Sequence, residues 1–565
     1  MKRLVCLTIL GFGYLCANST VSPSVYTSGN RGDNQYRVWI YFDSKDGTQT
    51  LPLNEKTIAR RSKSSITSQR WEDIHVSQSY IGELEEIGIN IIHQSRWFNS
   101  VSAIVTQEQL HHLDQFQFID KIEPVLKYKR KNLIESTTGK NPVSFRADTL
   151  RYGVSWDQIE QIQVHTAHDN DYFGYGIRIL VMDTGFWLEH QAFDHLNLIA
   201  QWDVINDDSV CANETTEESS WNQDRHGTMV LSTMAGYWPD TLIGPAYSAE
   251  YLLAKTEDVT QEIEAEEDNY VAGLEWGEAN GADVVSTSLG YLDWYTYCDL
   301  DGETAVTTNA IDIAAGLGMV CVTAMGNEGA YPAPNDPCND PITYYMIAPA
   351  DADSVISVGA VTSSGTLSYF SSHGPTYDGR TKPEVCARGS QTYCVLPHTN
   401  GYTSANGTSL ATPLVGGVAA VILSAHPDWD AMTVREAMMM TATQADNPDN
   451  DYGWGIVQTW DAIQYEPTQS LEPSGTIPES YAISSVYPNP FNPTISININ
   501  APIDEEIMVS VFDLNGRRIS DLFAGRISNG TKEFSWNAQE MSSGIYILKL
   551  QWAGGSSIRK VTLLK

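Results

Sequence analysis

The sequence predicts a multidomain protein: a large α/β domain with a mostly parallel sheet, a small α+β unit before it and an all-β sandwich after it. A chain of 565 residues is too long for one hydrophobic core and predicts about two to four domains. Apolar runs in the middle of the chain are typical of buried parallel strands, and Ala/Gly-rich stretches there indicate buried helices. Short strand-like runs separated by Asn-Gly turns fill the C-terminal part. We expect the boundaries at residues 1–17, 36–130, 150–465, 466–483 and 484–565.

The first segment, residues 1–17, has the form of a secretory signal peptide. Met1-Lys2-Arg3 precedes an apolar stretch that runs from Leu4 to Cys16, and cleavage is expected shortly after Cys16 or Ala17. No later run reaches the roughly 18 apolar residues of a membrane helix. The sequence therefore predicts an exported protein without a transmembrane segment.

The second segment, residues 36–130, has the pattern of a small α+β domain. Residues 36–42 predict a strand, 90–105 two more, 108–115 a short helix and 119–127 a last strand. The basic stretch 127–131 and the polar residues up to Ser144 predict a linker that is processed.

The third segment contains a carboxylate at the end of a predicted strand and an imidazole at the start of a predicted helix. Residues 177–182 form an apolar run that ends in Asp183-Thr-Gly, which places Asp183 at the carboxyl end of a parallel strand, where ligands bind in open α/β sheets. His226, within Asp-Arg-His-Gly-Thr, is expected to start a buried helix. Taken alone, Asp183 could equally cap a helix, and His226 could be an ordinary core histidine.

Two further positions complete a set of polar groups. An apolar strand ends in Ala324-Met-Gly326-Asn327 and delivers an amide at its exit, although an asparagine there could also be a simple turn residue. Ser409, within Asn406-Gly-Thr-Ser-Leu-Ala-Thr-Pro, opens an Ala/Val/Gly-rich helix, so its hydroxyl faces unpaired N–H groups and the positive end of the helix dipole. Gly-Thr-Ser by itself is also ordinary turn chemistry.

Together these groups supply the parts of acyl-transfer catalysis. A serine hydroxyl needs a base, an imidazole can take and return the proton, and a buried carboxylate holds the imidazole in the correct tautomer. The Asn327 amide and the Ser409 N–H would bind the oxyanion. The order Asp183, His226, Ser409 differs from that of chymotrypsin and of the α/β-hydrolases.

On these motifs the region from about residue 152 to 463 resembles the subtilisin family of serine endopeptidases, the subtilases. The resemblance implies extended polypeptide substrates, which would pair with Ser288-Leu289-Gly290 and contact Ala324 and Gly326, and a catalysis that needs no cofactor. Tyr291 departs from the glycine of many relatives and is expected to narrow the specificity pocket. Glu328 either favours a basic residue before the scissile bond or is a solvated loop residue.

The flanking segments resemble known accessory domains. Residues 36–130 look like a subtilase propeptide, which implies a ferredoxin-like folding assistant and intramolecular inhibitor; an unrelated substrate-binding module is the alternative. Tyr487-Pro-Asn-Pro-Phe-Asn-Pro-Thr and the terminal Lys-Val-Thr-Leu-Leu-Lys resemble C-terminal sorting domains of type IX secretion cargo. That implies the type IX secretion machinery as a partner and export through the periplasm to the outside or the outer cell surface; a surface- or carbohydrate-binding β-module is the alternative.

Charge and cysteine content limit other functions. The 34 basic and 70 acidic residues give 34 − 70 = −36, which makes nucleic acid and anionic lipid improbable partners. Residues 257–268 are expected to be a solvated acidic run; this run and residues 299–303 are candidates for structural Ca²⁺, with no ligand assigned. Six cysteines remain after signal removal and allow 15 connectivities; we expect Cys298–Cys338 and Cys386–Cys394, with Cys321 a buried thiol.

Two other functions remain open at this point. A catalytically silent surface protein could use the same fold for adhesion, but such a relative usually loses at least one of the four polar groups. An esterase for small esters would show a Gly-x-Ser-x-Gly elbow, which is absent from the Ser409 region.

Overall fold

The computed structural model describes residues 20–32, 34–45, 49–66, 68–128, 150–259, 265–292, 295–467, 481–487, 494–503, 505–513, 517–527, 530–539, 541, 544–553 and 555–563. The signal peptide and most of the two linkers expected from the sequence lie outside these residues. Within them the chain forms two compact units. The first comprises Val76–Gln94, Phe98–Val125 and the described part of Met1–Asp46, and the second contains the remainder.

The N-terminal region contains strands and helices on both sides of this division. Its strands are β1 (Asn30–Gly32), β2 (Gln35–Phe42), β3 (Asn90–Ser95), β4 (Ser100–Thr106), β5 (Ile119–Pro124) and β6 (Lys127–Tyr128). Its α-helices are α1 (Glu55–Lys63), α2 (Gln78–Glu86) and α3 (Gln107–Leu113). Helix α1 and strand β6 belong to the second unit.

The first unit is a small antiparallel sheet with two helices. Strand β2 pairs antiparallel with β1, β4 and β5, and β3 borders β4. Val38, Ile40 and Phe42 alternate along β2 and lie in its core together with Leu84 of α2 and Leu110 of α3. The order β2, α2, β3, β4, α3, β5 is the β-α-β-β-α-β arrangement of ferredoxin-like folds, so the predicted fold class is confirmed here.

The second unit contains the large α/β domain. Its strands are β7 (Arg178–Asp183), β8 (Asn197–Asp203), β9 (Tyr237–Trp238), β10 (Leu242–Ile243), β11 (Glu250–Lys255), β12 (Ala265–Glu266), β13 (Val284–Thr287), β14 (Val320–Ala324), β15 (Ile356–Val361), β16 (Val385–Arg388), β17 (Thr392–Leu396) and β18 (Gly401–Ala405). Its α-helices are α4 (Trp156–Glu160), α5 (Val164–His168), α6 (Thr216–Trp221), α7 (Arg225–Ala235), α8 (Glu267–Ala279), α9 (Val306–Gly316), α10 (Thr408–Ala425), α11 (Ala431–Met440) and α12 (Thr459–Ile463).

A seven-stranded sheet in the order β16-β15-β14-β13-β7-β11-β8 forms the centre of this domain, and each neighbouring pair is parallel. Its core extends from Tyr152 to Ile463 in sequence. The strand order changes direction between β13 and β7, which is the kind of position where open α/β sheets bind ligands.

Helix α10 packs directly on this sheet. A Cβ on Gly416 would lie 2.9 Å from Cβ of Ser286 in β13, so the absence of a side chain allows the close contact. Among the described residues, α10 is the one helix long and apolar enough to cross a membrane by length and composition. In this structure 89% of it is buried, as expected of a core helix.

The C-terminal region is all β, as predicted. Its strands are β19 (Ala482–Tyr487), β20 (Thr494–Ala501), β21 (Glu505–Asp513), β22 (Arg518–Ile527), β23 (Gly530–Asn537), β24 (Gly544–Trp552) and β25 (Gly555–Leu563). They form antiparallel sheets in the orders β19-β20-β23 and β22-β21-β24-β25. Ile497 of the first sheet and Val509 of the second lie in one buried apolar cluster, which is the core of the predicted sandwich.

Candidate active site

Three neighbouring strands end at the same edge of the parallel sheet. Strand β7 ends at Asp183, β13 ends at Thr287 immediately before Ser288, and β14 ends at Ala324. Because β13 lies between β7 and β14, residues from three distant parts of the sequence come to one edge. The strand positions predicted for Asp183, Ser288 and Asn327 agree with this arrangement.

Asp183 and His226 form a buried pair. Nδ1 of His226 lies 2.6 Å from Oδ1 of Asp183, and the side chains are 6% and 0% exposed. The same carboxylate oxygen accepts hydrogen bonds from the N–H of Thr184 at 2.8 Å and from its hydroxyl at 3.2 Å. A carboxylate fixed by these donors holds the proton of the imidazole on Nδ1 and leaves Nε2 as the basic nitrogen.

His226 lies in the first turn of helix α7, as the sequence predicts. Gly227 follows it, and a Cβ at this position would lie 3.0 Å from Cβ of Asp183 and closer still to the carbonyl oxygen of Gly185. Glycine therefore lets α7 approach the end of β7 closely enough for the carboxylate to reach the imidazole. Asp224, just before the helix, accepts a hydrogen bond from Nε2 of His398 at 2.7 Å.

Ser409 lies in the first turn of α10. The helix is preceded by Gly407 at φ 152°, a conformation that favours glycine. The hydroxyl of Ser288 donates to the carbonyl oxygen of Ser409 at 2.9 Å, and the hydroxyl of Ser409 points to the carbonyl oxygen of Ser288 at 3.5 Å. This reciprocal contact holds the start of α10 against the end of β13.

The N-terminal halves of α7 and α10 are joined by apolar packing. Met229, three residues after His226, and Leu410, next to Ser409, belong to one small buried cluster with Cys394 and Ala405 of the β17–β18 hairpin. The structure thus brings the histidine and serine motifs to the same side of the sheet.

Asn327 is oriented by Thr408. Its side-chain oxygen accepts hydrogen bonds from the main-chain N–H of Thr408 at 2.9 Å and from the Thr408 hydroxyl at 3.1 Å. With its oxygen held in this way, the amide presents its NH2 group as the donor. Sequence reasoning missed Thr408; the available signal was a hydroxyl residue between the glycine and the serine of the motif.

The predicted substrate-binding segment follows β13 directly. A Cβ on Gly290 would overlap the side chain of Ile347, so this segment fits tightly against its neighbour. Tyr291 is 3% exposed, and its ring packs edge-to-face on Tyr270 of α8 at 5.7 Å. Glu328 is 5% exposed, so the alternative of a solvated loop residue is wrong. The predicted effects of Tyr291 and Glu328 on specificity stay predictions.

A short strand from the N-terminal region pairs at the edge of this domain. Strand β6 pairs antiparallel with β12, Tyr128 opposite Ala265 and Lys127 opposite Glu266. Beside this pair, the carboxyl group of Glu267 accepts a hydrogen bond from the Tyr295 hydroxyl. Burial raises the pKa of Glu267 to about 7.

The acidic run was expected to be solvated, and this is wrong for its described ends. Glu257, Glu267 and Asp268 are 2%, 1% and 0% exposed, so these residues are buried instead of facing water. Asp299 and Asp301, in the second candidate calcium segment, accept hydrogen bonds from the N–H groups of Thr296 and Glu303 and close local turns.

A different acidic group has the spacing for a cation. Carboxylate oxygens of Asp203, Asp208 and Glu214 lie within 4.8 Å of one another. Asp203, however, already binds Lys255 at 2.7 Å and the Asn206 amide at 3.0 Å. Its oxygens already accept hydrogen bonds from these donors. The three carboxylates therefore do not fit a metal ion better than they fit the ammonium group of Lys255.

One of the two expected disulfides is present. Cys298 and Cys338 are bonded, as predicted. The expected Cys386–Cys394 bridge is wrong, because both residues are buried thiols that are not joined by a disulfide. Cys386 points to the carbonyl oxygen of Tyr452, while Cys394 packs in the apolar cluster with Leu410. Cys321 is a buried thiol, as predicted, and burial raises its pKa far above the ordinary range.

Comparison with known proteins places these observations in a family. Residues 174–455 match the model of the subtilase family, residues 37–141 that of the peptidase S8 propeptide domain of Bacteroidota, and residues 485–563 that of the secretion system C-terminal sorting domain.

Similar proteins include Subtilisin DY of Bacillus licheniformis and Subtilisin E of Bacillus subtilis (strain 168). The first is 33% identical over 321 residues, which cover 56% of this chain and 100% of the relative. The second is 28% identical over 406 residues, which cover 72% of this chain and 89% of the relative. With the parallel sheet and the paired aspartate and histidine at its edge, these matches lead to one conclusion: the chain belongs to the subtilase family of serine endopeptidases and carries the family's propeptide and a type IX sorting domain.

Proposed function

We propose that Asp183, His226 and Ser409 form the catalytic triad of a secreted endopeptidase that cleaves extended polypeptides through an acyl-enzyme on Ser409. The observation that carries this proposal is the buried 2.6 Å contact between Nδ1 of His226 and Asp183. An aspartate that fixes the tautomer of a histidine near the opening of a second helix is what a serine nucleophile requires. The order of the three residues is that of subtilisin.

In the first half-reaction, Nε2 of His226 takes the proton from the Ser409 hydroxyl as Oγ attacks the carbonyl carbon of the scissile bond. The carbonyl π bond opens to an oxyanion, and Asp183 stabilises the imidazolium. Nε2 then gives the proton to the amine as the C–N bond breaks, which leaves an ester on Ser409. Water repeats the sequence: it gives a proton to His226, attacks the ester, and Ser409 leaves with that proton.

We assign the oxyanion site to the NH2 group of Asn327 and the main-chain N–H of Ser409. Support comes from Thr408, because the two hydrogen bonds that it donates hold the oxygen of the amide and fix which end presents donors. Gly326 at φ 109° precedes Asn327, a backbone conformation suited to glycine, and lets the chain turn at the end of β14.

Substrate is proposed to bind as an extended strand along Ser288, Leu289 and Gly290, with Ala324 and Gly326 bordering the residue before the scissile bond. Main-chain pairing of this kind gives affinity for a polypeptide substrate without requiring that the substrate have a fixed sequence. The antiparallel pairing of β6 with β12 supports this mode, because it adds an extended segment of the N-terminal region to an edge of the domain. The same pairing suits an intramolecular inhibitor.

We assign residues 1–17 to the signal peptide, 36–130 to the propeptide, 150–465 to the catalytic domain, 466–483 to a linker and 484–565 to the sorting domain. The sorting domain indicates secretion to the outside or the cell surface, and we propose that the route passes through the periplasm. Deleting residues 487–565 should then leave active protease in the periplasm; normal secretion of the shortened chain would refute the route.

The test of the catalytic proposal is Ser409→Ala, with Ser424→Ala in the same helix as the matched control. Ser424 donates to the carbonyl oxygen of Val421 one turn earlier, so its loss leaves the proposed site untouched. We expect Ser409→Ala to abolish peptide hydrolysis, propeptide release and labelling by a fluorophosphonate, and Ser424→Ala to retain all three. Processing by Ser409→Ala at the wild-type rate would remove Ser409 from the mechanism.

A further inference from the structure

Ile347 lies between two of the segments to which the substrate is assigned. A Cβ on Gly290, which follows β13, would overlap Cδ1 of Ile347 and lie 2.5 Å from its Cγ1. A Cβ on Gly326, which follows β14, would lie 3.2 Å from Cγ2 and 3.3 Å from Cγ1 of the same side chain. One isoleucine therefore packs against both glycines and occupies the space between the two segments.

Main-chain hydrogen bonds hold Ile347 in this place. Its N–H donates to the carbonyl oxygen of Met325 at 3.2 Å, and its carbonyl oxygen accepts from the N–H of Ala350 at 2.8 Å. The carbonyl oxygen of Ala348 accepts from the N–H of Tyr291 at 2.8 Å. The segment is thus bonded to the chain after β13 and to the chain after β14. Because isoleucine is branched at Cβ, its side chain also has few alternative rotamers.

The turn that carries Gly326 is fixed as well. The N–H of Ser372 donates to the carbonyl oxygen of Gly326 at 3.1 Å, and the hydroxyl of Ser372 accepts from the N–H of Glu328 at 2.9 Å. These two bonds hold the turn on both sides of Asn327. The segment after β14 therefore cannot move away from Ile347 without breaking them.

The space around Ile347 is closely packed. Ile347 is 7% exposed, and the neighbouring Leu289 and Ala324 are 4% and 3% exposed. Since a packed protein interior has few voids larger than a water molecule, a second large side chain has no room between the two segments. A side chain of about one or two heavy atoms could still lie at the opening beside Ile347.

We propose that Ile347 fills the site for the side chain of the residue before the scissile bond, so that this protease cleaves after glycine, alanine and serine and rejects aromatic, long aliphatic and basic residues there. This rests on the proposed function, because it requires a substrate that lies along Ser288–Gly290. Small residues keep their affinity, since main-chain pairing does not depend on the side chain. A large side chain is rejected because it would have to displace Ile347 from its fixed segment.

Ile347, and not Tyr291, then narrows the pocket. The ring of Tyr291 packs on Tyr270 at 5.7 Å, and its main-chain N–H binds Ala348. A basic preference through Glu328 is not expected, because a lysine or arginine side chain is longer than the space that Ile347 leaves.

The wild-type protein, after it has processed itself, provides the first test. A peptide library that varies the residue before the scissile bond, read by mass spectrometry, gives the preference without any substitution. We expect kcat/KM to be at least about 100-fold higher for alanine than for phenylalanine or lysine, since a misfit of one methylene is worth about 10–200-fold. Preferred cleavage after phenylalanine, leucine, lysine or arginine would overturn the proposal and leave the proposed function standing. Cleavage that survives Ser409→Ala would instead overturn the proposed function.

Ile347→Ala removes the atoms beyond Cβ and should open the pocket. We expect kcat/KM for the phenylalanine substrate to rise at least about 30-fold, while the value for the alanine substrate changes by less than about threefold. Ile347→Leu keeps the volume of the side chain and should retain the preference of wild type.

Ile463→Ala is the matched control, because Ile463 is 5% exposed and loses the same atoms. Its carbonyl oxygen lies 2.7 Å from Nε2 of His426, just beyond the end of α10, which is about 25 Å from Ser409 along the helix. An unchanged preference in Ile347→Ala, or an equal gain in Ile463→Ala, would overturn the proposal. If Ile347→Ala fails to fold, the preference of the wild-type protein decides the question.

Discussion

Thr408 offers a sharp test of how the proposed oxyanion site is built. In Thr408→Val the side chain keeps its shape but loses the hydroxyl that donates to Oδ1 of Asn327 at 3.1 Å. The main-chain N–H at 2.9 Å remains, so the amide is held by one donor instead of two. One neutral hydrogen bond is worth about 1 kcal/mol, which corresponds to about fivefold in kcat.

The effect should fall on kcat and leave KM nearly unchanged, because the proposed role of the amide is to bind charge that develops only in the transition state. Thr408→Ser keeps the hydroxyl and should retain most of the activity. Steady-state kinetics on a chromogenic peptide, with single-turnover acylation as a second readout, would measure both variants.

A double-mutant cycle with Asn327→Leu gives the decisive comparison. Asn327→Leu should lower kcat by about 10²–10³, a range that was measured on subtilisin itself and is carried over by family membership. If Thr408 acts through Asn327, adding Thr408→Val to Asn327→Leu should change kcat by less than about twofold. A full fivefold loss in that background, or equal losses in Thr408→Ser and Thr408→Val, would refute the reasoning.

Three further predictions concern stability and packing. Replacing Cys298 and Cys338 by alanine removes a disulfide between residues that are 40 apart in sequence. Urea unfolding in the Ser409→Ala background should then show a free energy of unfolding that is lower by about 4 kcal/mol, and a decrease below about 1 kcal/mol would contradict this prediction. Burial raises the pKa of Glu267 from 4.5 to about 7, so the folded chain binds a proton that the unfolded chain has lost, and stability should fall by about 3 kcal/mol as pH rises across that window. Glu267→Gln should flatten that slope, and an unchanged slope would exclude Glu267 as its source. Gly227→Ala should lower kcat at least tenfold by separating Asp183 from His226, whereas Gly82→Ala, where a Cβ meets nothing within 4 Å, should be neutral; equal activities would show that α7 can move away at no cost.

Helices and strands whose apolar residues form a regular pattern could be predicted from the sequence. The strand that ends at Asp183 and the helix that starts beside Ser409 consist of apolar residues with a polar group at one end, so local pattern gave both the element and the position of the polar group. Helix α1 was missed because its buried face is Thr57, Arg60 and Arg61, and polar residues give no hydrophobic period.

The acidic run shows the same limit. Local sequence predicted that Glu267 and Asp268 face water, since isolated carboxylates usually do. Their burial depends on partners from distant segments, such as the Tyr295 hydroxyl, and composition contains no information about such partners. The disulfide error has the same origin: Cys386 and Cys394 are close in sequence, but they lie in different strands with different neighbours.

The sequence by itself determined the chemistry of this protein, because motif residues and the ends of their strands and helices are local properties of the chain. It determined the three-part organisation for the same reason, since composition and periodicity change at the boundaries. Only the tertiary structure decided which polar groups meet: Thr408 with Asn327, Glu278 with two arginines more than 200 residues away. Such pairs are selected by the parallel sheet and its packed helices, which bring distant donors and acceptors together where water is excluded.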